Sequence, residues 1–373
     1  MNILMRGRMR KPDTWLSLVV FALVFWGLIS VYSASIVVSL DKFGNPYHYL
    51  INQAIALTIG VSAWFFVQYV DYHRLKKLTP WLLGLSLILL ILVLLPIPSI
   101  APVIGGAKRW LFFGPINFQA SELVKLFFVI YISAWLSTKN KNINSFFDGL
   151  LPYWLLFCLI AGLILLEPDL GTALVFLGMG LVLFFVAGAK WIHVISIMVI
   201  GIIVVLILSV VSPYRFARLT TFLNPANDPE GIGYHARNIS IAVGSGGLFG
   251  QGFGNSKQKY FYLPEAHTDS IYAVVSEELG FLRSFPIIFF FGFLIWRGII
   301  IARKAPDEFG RYLALGISAW FGFQVIVNLG GMLGVLPLTG VPLPFFSSGG
   351  TSLVISLIAM GILLNISRQR RVE

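Results

Sequence analysis

The segment YLPEAHTDS gathers three side chains that could carry out acid–base chemistry: Glu265, His267 and Asp269. They stand out in a chain of 373 residues of which only 12% are charged. Further ionisable residues lie in the long polar stretch that ends with this segment and in one earlier polar stretch: Lys108, Arg109, Arg215, Arg218, Asp228, Glu230, Lys257 and Lys259. Carboxylates accompanied by several cations indicate a reaction in which a base and anion-binding groups act together.

Transfer of a sugar from a lipid diphosphate is the reaction that this set of residues fits. A glycoside hydrolase needs two carboxyl groups because its alcohol leaving group must be protonated. A diphosphate leaves as a stable anion, so Lys, Arg or a metal ion can replace the acid. One carboxylate acting as general base would then suffice. The sequence contains no HExxH or GxSxG motif, so hydrolase signals are missing and a metal requirement stays unknown.

Asp269 is the candidate base because it stands where a long loop enters the eighth predicted membrane span. At that boundary between water and lipid, partial desolvation would raise its pKa and make it a better base. Capping is the alternative, since Asp or Thr just before an apolar run commonly caps a helix. Both roles are compatible if Thr268 is the cap. Glu265 and His267 could orient Asp269, bind substrate or serve only the structure of the loop.

Charged residues inside predicted spans need a separate explanation, because each costs about 2.5–3.5 kcal/mol by insertion scales. Glu122 and Lys125 lie three residues apart on one face of the fourth span, where they either brace the helix bundle or serve transport or catalysis. Bracing is the favoured interpretation. Glu167 and Asp169 are predicted to cap the turn between spans five and six, whereas Arg283 in span eight has no evident role.

The composition is typical of a polytopic membrane protein. Hydrophobic residues make up 57% of the chain, against roughly 45–50% in soluble domains. Each crossing needs about 20 mostly apolar residues. We predict an all-α fold and one domain over residues 1–373, with ten transmembrane helices near 15–38, 48–70, 81–96, 119–137, 150–166, 171–188, 191–211, 270–301, 311–336 and 348–367. The third, fifth and sixth are short, and Pro286 predicts a tilt or kink in the eighth.

The distribution of cations orients these helices. Ten crossings place both termini on one side, and that side is the cytoplasm, because most of the 27 lysine and arginine residues then face inward. The outward cations concentrate in two loops, near 97–118 and 212–269. The second is a long extracytoplasmic loop before helix eight. Its glycine, aromatic and apolar content predicts a folded active region on the membrane surface rather than disorder.

Several classes of site are excluded or disfavoured. Cations scattered beside apolar runs, without a basic stripe, argue against nucleic-acid binding despite the net charge of +11. The single cysteine, Cys158, excludes an intrachain disulfide. The glycine run from Gly244 to Gly254 lacks the ending of a phosphate-binding loop. It therefore predicts tight turns and close helix packing instead of a nucleotide site.

A set of motifs in this order resembles the SEDS (FtsW/RodA) family of bacteria over nearly the whole chain. The motifs are GAKRWLFFGPINFQASELVK, LEPDLGTAL, FLNPANDPEGIGYHARNISIAVGSGGLFGQGFGNSKQKYFYLPEAHTDS, EELGF and GVPLPFFSSGG. The stretch GNSKQKYFYLPEAHTD is more similar to the cell-division branch than to the elongation branch. Four positions depart from the family pattern: Ala120, Ser270, Arg283 and Ser348.

The resemblance implies a ten-helix peptidoglycan glycosyltransferase that polymerises lipid II into glycan strands on the outer face of the cytoplasmic membrane. It implies Asp269 as the essential aspartate, Arg109 as the arginine of the GARRW motif, and Glu122 with Lys125 as the SELxK pair. From the chemistry of the residues themselves, Lys108, Arg215, Arg218, Lys257 and Lys259 would join Arg109 in binding substrate and stabilising the diphosphate, with a divalent cation (Mg²⁺ or Mn²⁺) as an option and no organic cofactor.

The implied partners are lipid II, the nascent strand, a class B penicillin-binding transpeptidase and other division proteins at the septum. A lipid II flippase and an elongation polymerase of the RodA type are the alternatives.

Overall fold

The computed structural model describes residues 11–104, 107–114, 116–139, 143–211, 213–224 and 231–369. Its helices are α1 (Thr14–Phe43), α2 (His48–Tyr69), α3 (His73–Leu94), α4 (Ala120–Lys139), α5 (Leu151–Leu166), α6 (Leu170–Val186), α7 (Trp191–Val211), α8 (Pro213–Leu223), α9 (Ile232–Gly246), α10 (Ile271–Arg303), α11 (Glu308–Met332) and α12 (Gly350–Arg368). A π-helical turn, Phe146–Leu150, leads into α5. The strands β1 (Trp110–Phe113) and β2 (Ile116–Gln119) form an antiparallel hairpin.

The predicted all-helical membrane fold is confirmed. Among the described residues, eight helical stretches are long and apolar enough to cross a membrane, and α6 and α7 provide shorter apolar helices. Helices are the expected solution because every backbone polar group in lipid must be satisfied within the protein. The count of ten crossings stays a prediction. The third and fifth spans are not short as predicted. The helix α3 begins at His73, and the polar residues of its first two turns concealed that start. The π-helical turn extends the fifth span to 21 residues, Phe146–Leu166.

Small residues let the helices pack closely around α11, which contacts α4, α6, α10 and α12. At Gly178 of α6, an added Cβ would lie 2.4 Å from the ring of Phe323. The same holds where α12 packs against α2: at Gly361 of α12, an added Cβ would lie 3.0 Å from the carbonyl oxygen of Trp64 in α2. Close approach at small residues drives helix association where lipid offers no hydrophobic force.

The kink predicted for the eighth span is present, but it lies at Gly280 and not at Pro286. Gly280 has φ 74° and ψ 176°, a backbone conformation that a residue with a side chain rarely adopts. The loop 247–252 satisfies the backbone groups that the break exposes. Its amides at 251 and 252 donate to the carbonyls of 277 and 278, at 2.9 and 3.0 Å, and its carbonyls at 247 and 248 accept from the amides of 281 and 282.

The glycine run 244–254 makes close backbone contacts, as the sequence predicted. An added Cβ at Gly250 would lie 2.2 Å from the carbonyl oxygen of Glu278, and one at Gly246 would lie 2.1 Å from that of Ser276. Glycine is therefore required for this loop to lie against the broken part of α10.

The long segment 212–269 contains secondary structure. It includes α8 and α9, followed by a series of turns that leads to α10. The predicted carboxylates Asp228 and Glu230 lie outside the described residues.

Candidate active site

A polar cavity of about 290 Å³ lies where the turns before α10, the hairpin β1–β2, α8 and the start of α12 meet. Its lining residues are Ile104, Arg109, Trp110, Gln119, Arg218, Glu265, Thr268, Asp269, Gly340, Pro342, Ser348, Gly349, Thr351 and Ser352. The structure therefore brings together four of the residues predicted from sequence, two carboxylates and two arginines, although they come from distant parts of the chain.

Asp269 is half-buried in this cavity, directly before Ser270, the cap residue of α10. Its carbonyl oxygen accepts a 2.8 Å hydrogen bond from Asn328 Nδ2 of α11, and its Oδ1 lies 3.3 Å from Thr268 Oγ1. Burial, and then the nearby carboxylate of Glu265, raises the pKa of Asp269 to about 6, although Arg218 and Thr268 oppose the shift. A carboxylate with this pKa is ionised at neutral pH and is a stronger base than an exposed Asp.

The capping alternative for this segment is not realised within the described residues. Ser270 is the cap residue of α10 and its side chain makes no cap hydrogen bond. The Oγ1 of Thr268 instead donates 2.7 Å to Glu265 Oε2. Glu265 adopts φ 51°, a strained conformation for a residue with a side chain, and such strain occurs preferentially at functional sites.

Two arginines line the cavity together with the carboxylates. Arg109 comes from the segment before β1, donates 2.5 Å from Nη2 to the carbonyl oxygen of Pro168, and lies 3.8 Å from Asp169 Oδ2. Arg218 comes from α8 and donates 3.1 Å from Nη1 to the carbonyl oxygen of Leu338. These carbonyl contacts position both guanidinium groups beside the cavity, where they can bind an anion such as a phosphate.

The start of α12 adds a third feature that favours an anion. Gly349, the cap residue of α12, lines the cavity together with Ser348 and Thr351. The N-terminal amides and macrodipole of a helix attract negative charge. Sequence reasoning did not assign these residues to the site, although the run FFSSGG before an apolar helix was a signal for it.

Ser270, one of the departures from the family pattern, has a hydrogen-bond partner in His235 of α9. The Nε2 of His235 lies 2.8 Å from Ser270 Oγ, and Ser270 is fully buried. Burial, and then the charge of Arg218, lowers the pKa of His235 to about 4, although Glu265 opposes the shift. The histidine is therefore neutral at physiological pH, and the pair fixes the residue that follows Asp269.

His267 is buried outside the cavity lining. Its ring packs on Tyr49 of α2 with 4.4 Å between ring centroids, and its carbonyl oxygen accepts from the amide of Ser348 at 2.9 Å. Burial lowers the pKa of His267, against the opposing charge of Glu265. These contacts favour the structural interpretation of His267 over a role in binding substrate.

The predicted cations Lys108, Lys257 and Lys259 do not line the cavity. Lys108 Nζ donates 3.3 Å to the carbonyl oxygen of Leu95, at the end of α3, a favourable place for a cation. Lys257 is exposed. Lys259 is buried, and its Nζ lies 2.9 Å from Glu278 Oε1 and 2.7 Å from a loop carbonyl oxygen.

Lys259 was expected to bind diphosphate because its neutralising partner, a glutamate in a predicted span, could not be recognised from sequence. The side chain of Arg215 lies outside the described residues.

Glu277 and Glu278 together hold the loop that follows the glycine run. Glu277 accepts hydrogen bonds from Ser256 Oγ at 2.5 Å and from the amide of Lys257 at 3.0 Å. Glu278 accepts from Ser33 Oγ at 2.7 Å and pairs with Lys259. Both glutamates are buried. Hydrogen bonds from the loop satisfy Glu277, whereas the charge of Glu278 is paired with Lys259.

Glu122 and Lys125 form a buried ion pair, with 2.7 Å between Oε1 and Nζ and about 1% of each side chain exposed. Lys125 Nζ also donates 2.8 Å to Gln324 Oε1 of α11. Gln324 in turn donates 2.9 Å to the carbonyl oxygen of Pro342, which lines the cavity. The pair thus connects α4 to α11 and to the loop beside the site, an arrangement that favours bracing over transport.

The turn LEPDLG lies behind Arg109. Asp169 caps α6, because its Oδ1 accepts from the amide of Thr172 at 3.0 Å, as predicted. Glu167 is the C-cap residue of α5 through its backbone amide, which donates 3.1 Å to the carbonyl oxygen of Ile164, whereas its side-chain oxygens have no hydrogen-bond partner among the described residues. It is fully buried, and burial, followed by the charge of Asp169, raises its pKa to about 9, with Arg109 opposing. Glu167 is therefore protonated at neutral pH.

A larger and mostly apolar groove of about 780 Å³ adjoins the polar cavity and shares Trp110, Ser348, Gly349 and Thr351 with it. It continues between α2 and α12, where Ile55, Ile59, Val354 and Ile355 line it. A polar chamber beside an apolar groove suits an amphiphile whose headgroup reacts.

Comparison with known proteins shows which family and which proteins this chain resembles. Residues 13–372 match the model of the family of cell cycle proteins that comprises FtsW, RodA and SpoVE. The chain is 42% identical to stage V sporulation protein E of Bacillus subtilis, over 98% of this chain and 100% of that protein. It is 41% identical to a probable peptidoglycan glycosyltransferase FtsW of Trichlorobacter lovleyi, over 96% of this chain and 94% of that one.

Solved structures agree with the sequence comparison. A structure concerned with coordination of polymerization and crosslinking by a peptidoglycan synthase complex matches with a TM-score of 0.78 and 31% identity, over 96% of this chain and 98% of that chain. The rod shape determining protein RodA of Thermus thermophilus matches with a TM-score of 0.71 and 31% identity, over 97% and 98% of the two chains.

Proposed function

Because the chain belongs to the FtsW, RodA and SpoVE family of cell cycle proteins, we infer that it is a peptidoglycan glycosyltransferase that polymerises lipid II. The observation that carries the mechanism is the juxtaposition of Asp269 with Arg109 and Arg218 around one polar cavity. Relatives from several bacteria are named probable peptidoglycan glycosyltransferase FtsW, which supports a role in septal cell-wall synthesis during division over the elongation alternative.

Asp269 acts as the general base. It takes the proton from the 4-hydroxyl of the acceptor sugar as that oxygen attacks the anomeric carbon of the donor glycan. A new glycosidic bond forms while the bond to the lipid diphosphate breaks, and the diphosphate leaves with the electron pair. A general base in this position contributes typically about 10²–10⁴ in rate.

Arg109, Arg218 and the start of α12 stabilise the leaving diphosphate. Their guanidinium groups and helix amides are already held in place by carbonyl contacts and by the fold, so little reorganisation accompanies the reaction. Glu265 holds Thr268 beside the base and raises the basicity of Asp269. Lys257 and Lys259, which lie elsewhere, serve the loop rather than the diphosphate.

A divalent cation fits this cavity only in part. Within the described residues, no group of three or more His, Cys, Asp or Glu is arranged to hold a metal ion. Asp269 and Glu265 could supply carboxylate oxygens, with diphosphate and water completing the coordination that Mg²⁺ or Mn²⁺ needs. Such an ion would neutralise charge on the leaving group.

The protein is a membrane protein, and we place both termini in the cytoplasm and the cavity on the outer face, at the division septum. The distribution of cations supports this orientation. A class B penicillin-binding transpeptidase is the proposed partner, together with other division proteins. The match to a peptidoglycan synthase complex that coordinates polymerization and crosslinking supports such a partnership.

Proteoliposomes distinguish this enzyme from a lipid II flippase. The charges of Glu122 and Lys125 are paired with each other and buried at about 1% exposure, an arrangement that favours the enzyme over a transporter. Labelled lipid II is added to the outside of vesicles whose cavity faces outward, with the transpeptidase partner present. Glycan polymer that lengthens with time supports the proposal. Translocation of lipid II without any polymer contradicts it.

A further inference from the structure

The break in α10 divides this long helix into two parts with different surroundings. All residues from Ile271 to Glu278 are buried, whereas Phe281, Leu282 and Arg283 are exposed in succession after Gly280. From Phe281 to Arg303 the helix rises about 33 Å at 1.5 Å per residue. That length matches a hydrocarbon layer of about 30 Å, so the membrane-spanning part of α10 begins at the break.

Exposed apolar side chains of the glycine-rich loop lie beside the break in α10. Leu248 is 59% and Phe249 is 68% exposed. Backbone hydrogen bonds join residues 247 and 248 to Phe281 and Leu282. The loop surface is therefore continuous with the lipid-facing surface of α10.

Phe253 gives a second, independent indication of depth. It lines a mostly apolar cleft of about 360 Å³ together with Phe25, Trp26 and Ile29 of α1. Those three residues lie near the middle of a 30-residue membrane helix. Phe253 is 54% exposed, so a loop residue contributes to a surface that α1 presents to lipid.

Arg283 lies one turn beyond the break and has no carboxylate partner among the described residues. An arginine near the end of a membrane span extends its guanidinium to the interface, where lipid phosphates bind it. Arginine is suited to phosphate because its planar fork donates two hydrogen bonds.

We propose that Leu248, Phe249 and Phe253 form a wedge that inserts into the bilayer leaflet on the side of the catalytic cavity, and that Arg283 binds the phosphate of a phospholipid beside it. The occupant of this surface is the phospholipid bilayer. The wedge is tied through the amides of 251 and 252 to the buried part of α10, which begins two residues after Asp269. Insertion therefore sets the height of Asp269 relative to the lipid headgroups.

Spin-label depth measurements test this inference on the full-length protein. Cys158 is the only cysteine in the chain, so Cys158→Ser gives a background for Phe249→Cys and Phe253→Cys. A nitroxide at each site is exposed to oxygen, which partitions into lipid, and to a nickel chelate, which stays in water. The reference sites are native Cys158, exposed on a membrane helix, and Lys42→Cys at the exposed end of α1.

The proposal expects oxygen to collide with the labels at 249 and 253 more often than the nickel chelate does, as at Cys158, with the opposite order at 42. In vesicles of phosphatidylglycerol and phosphatidylethanolamine, Arg283→Ala should reduce the ratio of oxygen collisions to nickel-chelate collisions at 249. Arg283→Lys should retain that ratio. A ratio at both wedge sites equal to that at 42 overturns insertion, and so does protection from both reagents, which indicates a protein contact. An unchanged ratio in Arg283→Ala overturns the assignment of Arg283.

Discussion

Asn328 Nδ2 donates a 2.8 Å hydrogen bond to the carbonyl oxygen of Asp269 and a second one, also 2.8 Å, to that of Val341. One side chain of the central helix α11 thus holds the segment that carries the candidate base and the loop before α12 at the same time. Asn328 is buried, so water cannot replace these two bonds without a rearrangement. The position of Asp269 depends on a residue that never lines the cavity.

Replacing Asn328 should therefore impair catalysis more than binding. Asn328→Ala leaves two carbonyl groups without their donor, and a small displacement of a catalytic group can cost about 10² in rate. We expect kcat for polymerisation to fall about ten- to hundredfold with little change in KM. Asn328→Gln, which retains the amide, should recover part of kcat. Equal losses in kcat and in folded protein for both variants would contradict a positioning role.

The pH dependence of polymerisation should report the pKa of Asp269. The pKa is raised to about 6, and the base acts only when ionised, so the rate should fall about tenfold per pH unit below pH 6. Glu265→Gln removes a negative charge that raises this pKa, and the acid limb of the profile should move to lower pH. Arg218→Gln removes an opposing charge and should move it to higher pH.

The pH profile has an internal control in Lys257→Gln. Lys257 is exposed and does not line the cavity, so its replacement should leave the acid limb in place. Identical profiles for wild type, Glu265→Gln and Arg218→Gln would exclude Asp269 as the group that titrates.

The pair of Glu122 and Lys125 should be important for stability. Removing one partner of a buried ion pair leaves an uncompensated charge, which costs about 3–5 kcal/mol. Lys125→Met should therefore lower the midpoint of thermal unfolding in detergent strongly, and Glu122→Gln combined with Lys125→Met should recover part of the loss. A single variant that retains the wild-type midpoint but loses polymerisation would favour a role in catalysis instead.

The membrane helices could be predicted well from the sequence, because a helix that crosses lipid must consist mostly of apolar residues. The helices α8 and α9, which lie in the long loop, could not. Sequence reasoning located Asp269, Glu265, Arg109 and Arg218, which the structure brings to one cavity. It failed for Lys259, which pairs with the buried Glu278. That pairing could not be predicted, because the glycine-rich loop lies against α10 only where the helix breaks at Gly280. Nor could sequence reasoning find Ser348, Thr351 or Asn328, since uncharged residues acquire a role only through tertiary packing.

The most direct test is the polymerisation of fluorescent lipid II by the purified protein with its transpeptidase partner, wild type against Asp269→Asn. Asn keeps the size of the side chain and its backbone contact with Asn328 but cannot accept the proton. Size-exclusion and thermal profiles establish that the variant is folded. The proposed mechanism predicts that Asp269→Asn forms no glycan polymer. Near-normal polymer from the folded variant would contradict the assignment of Asp269 as the base.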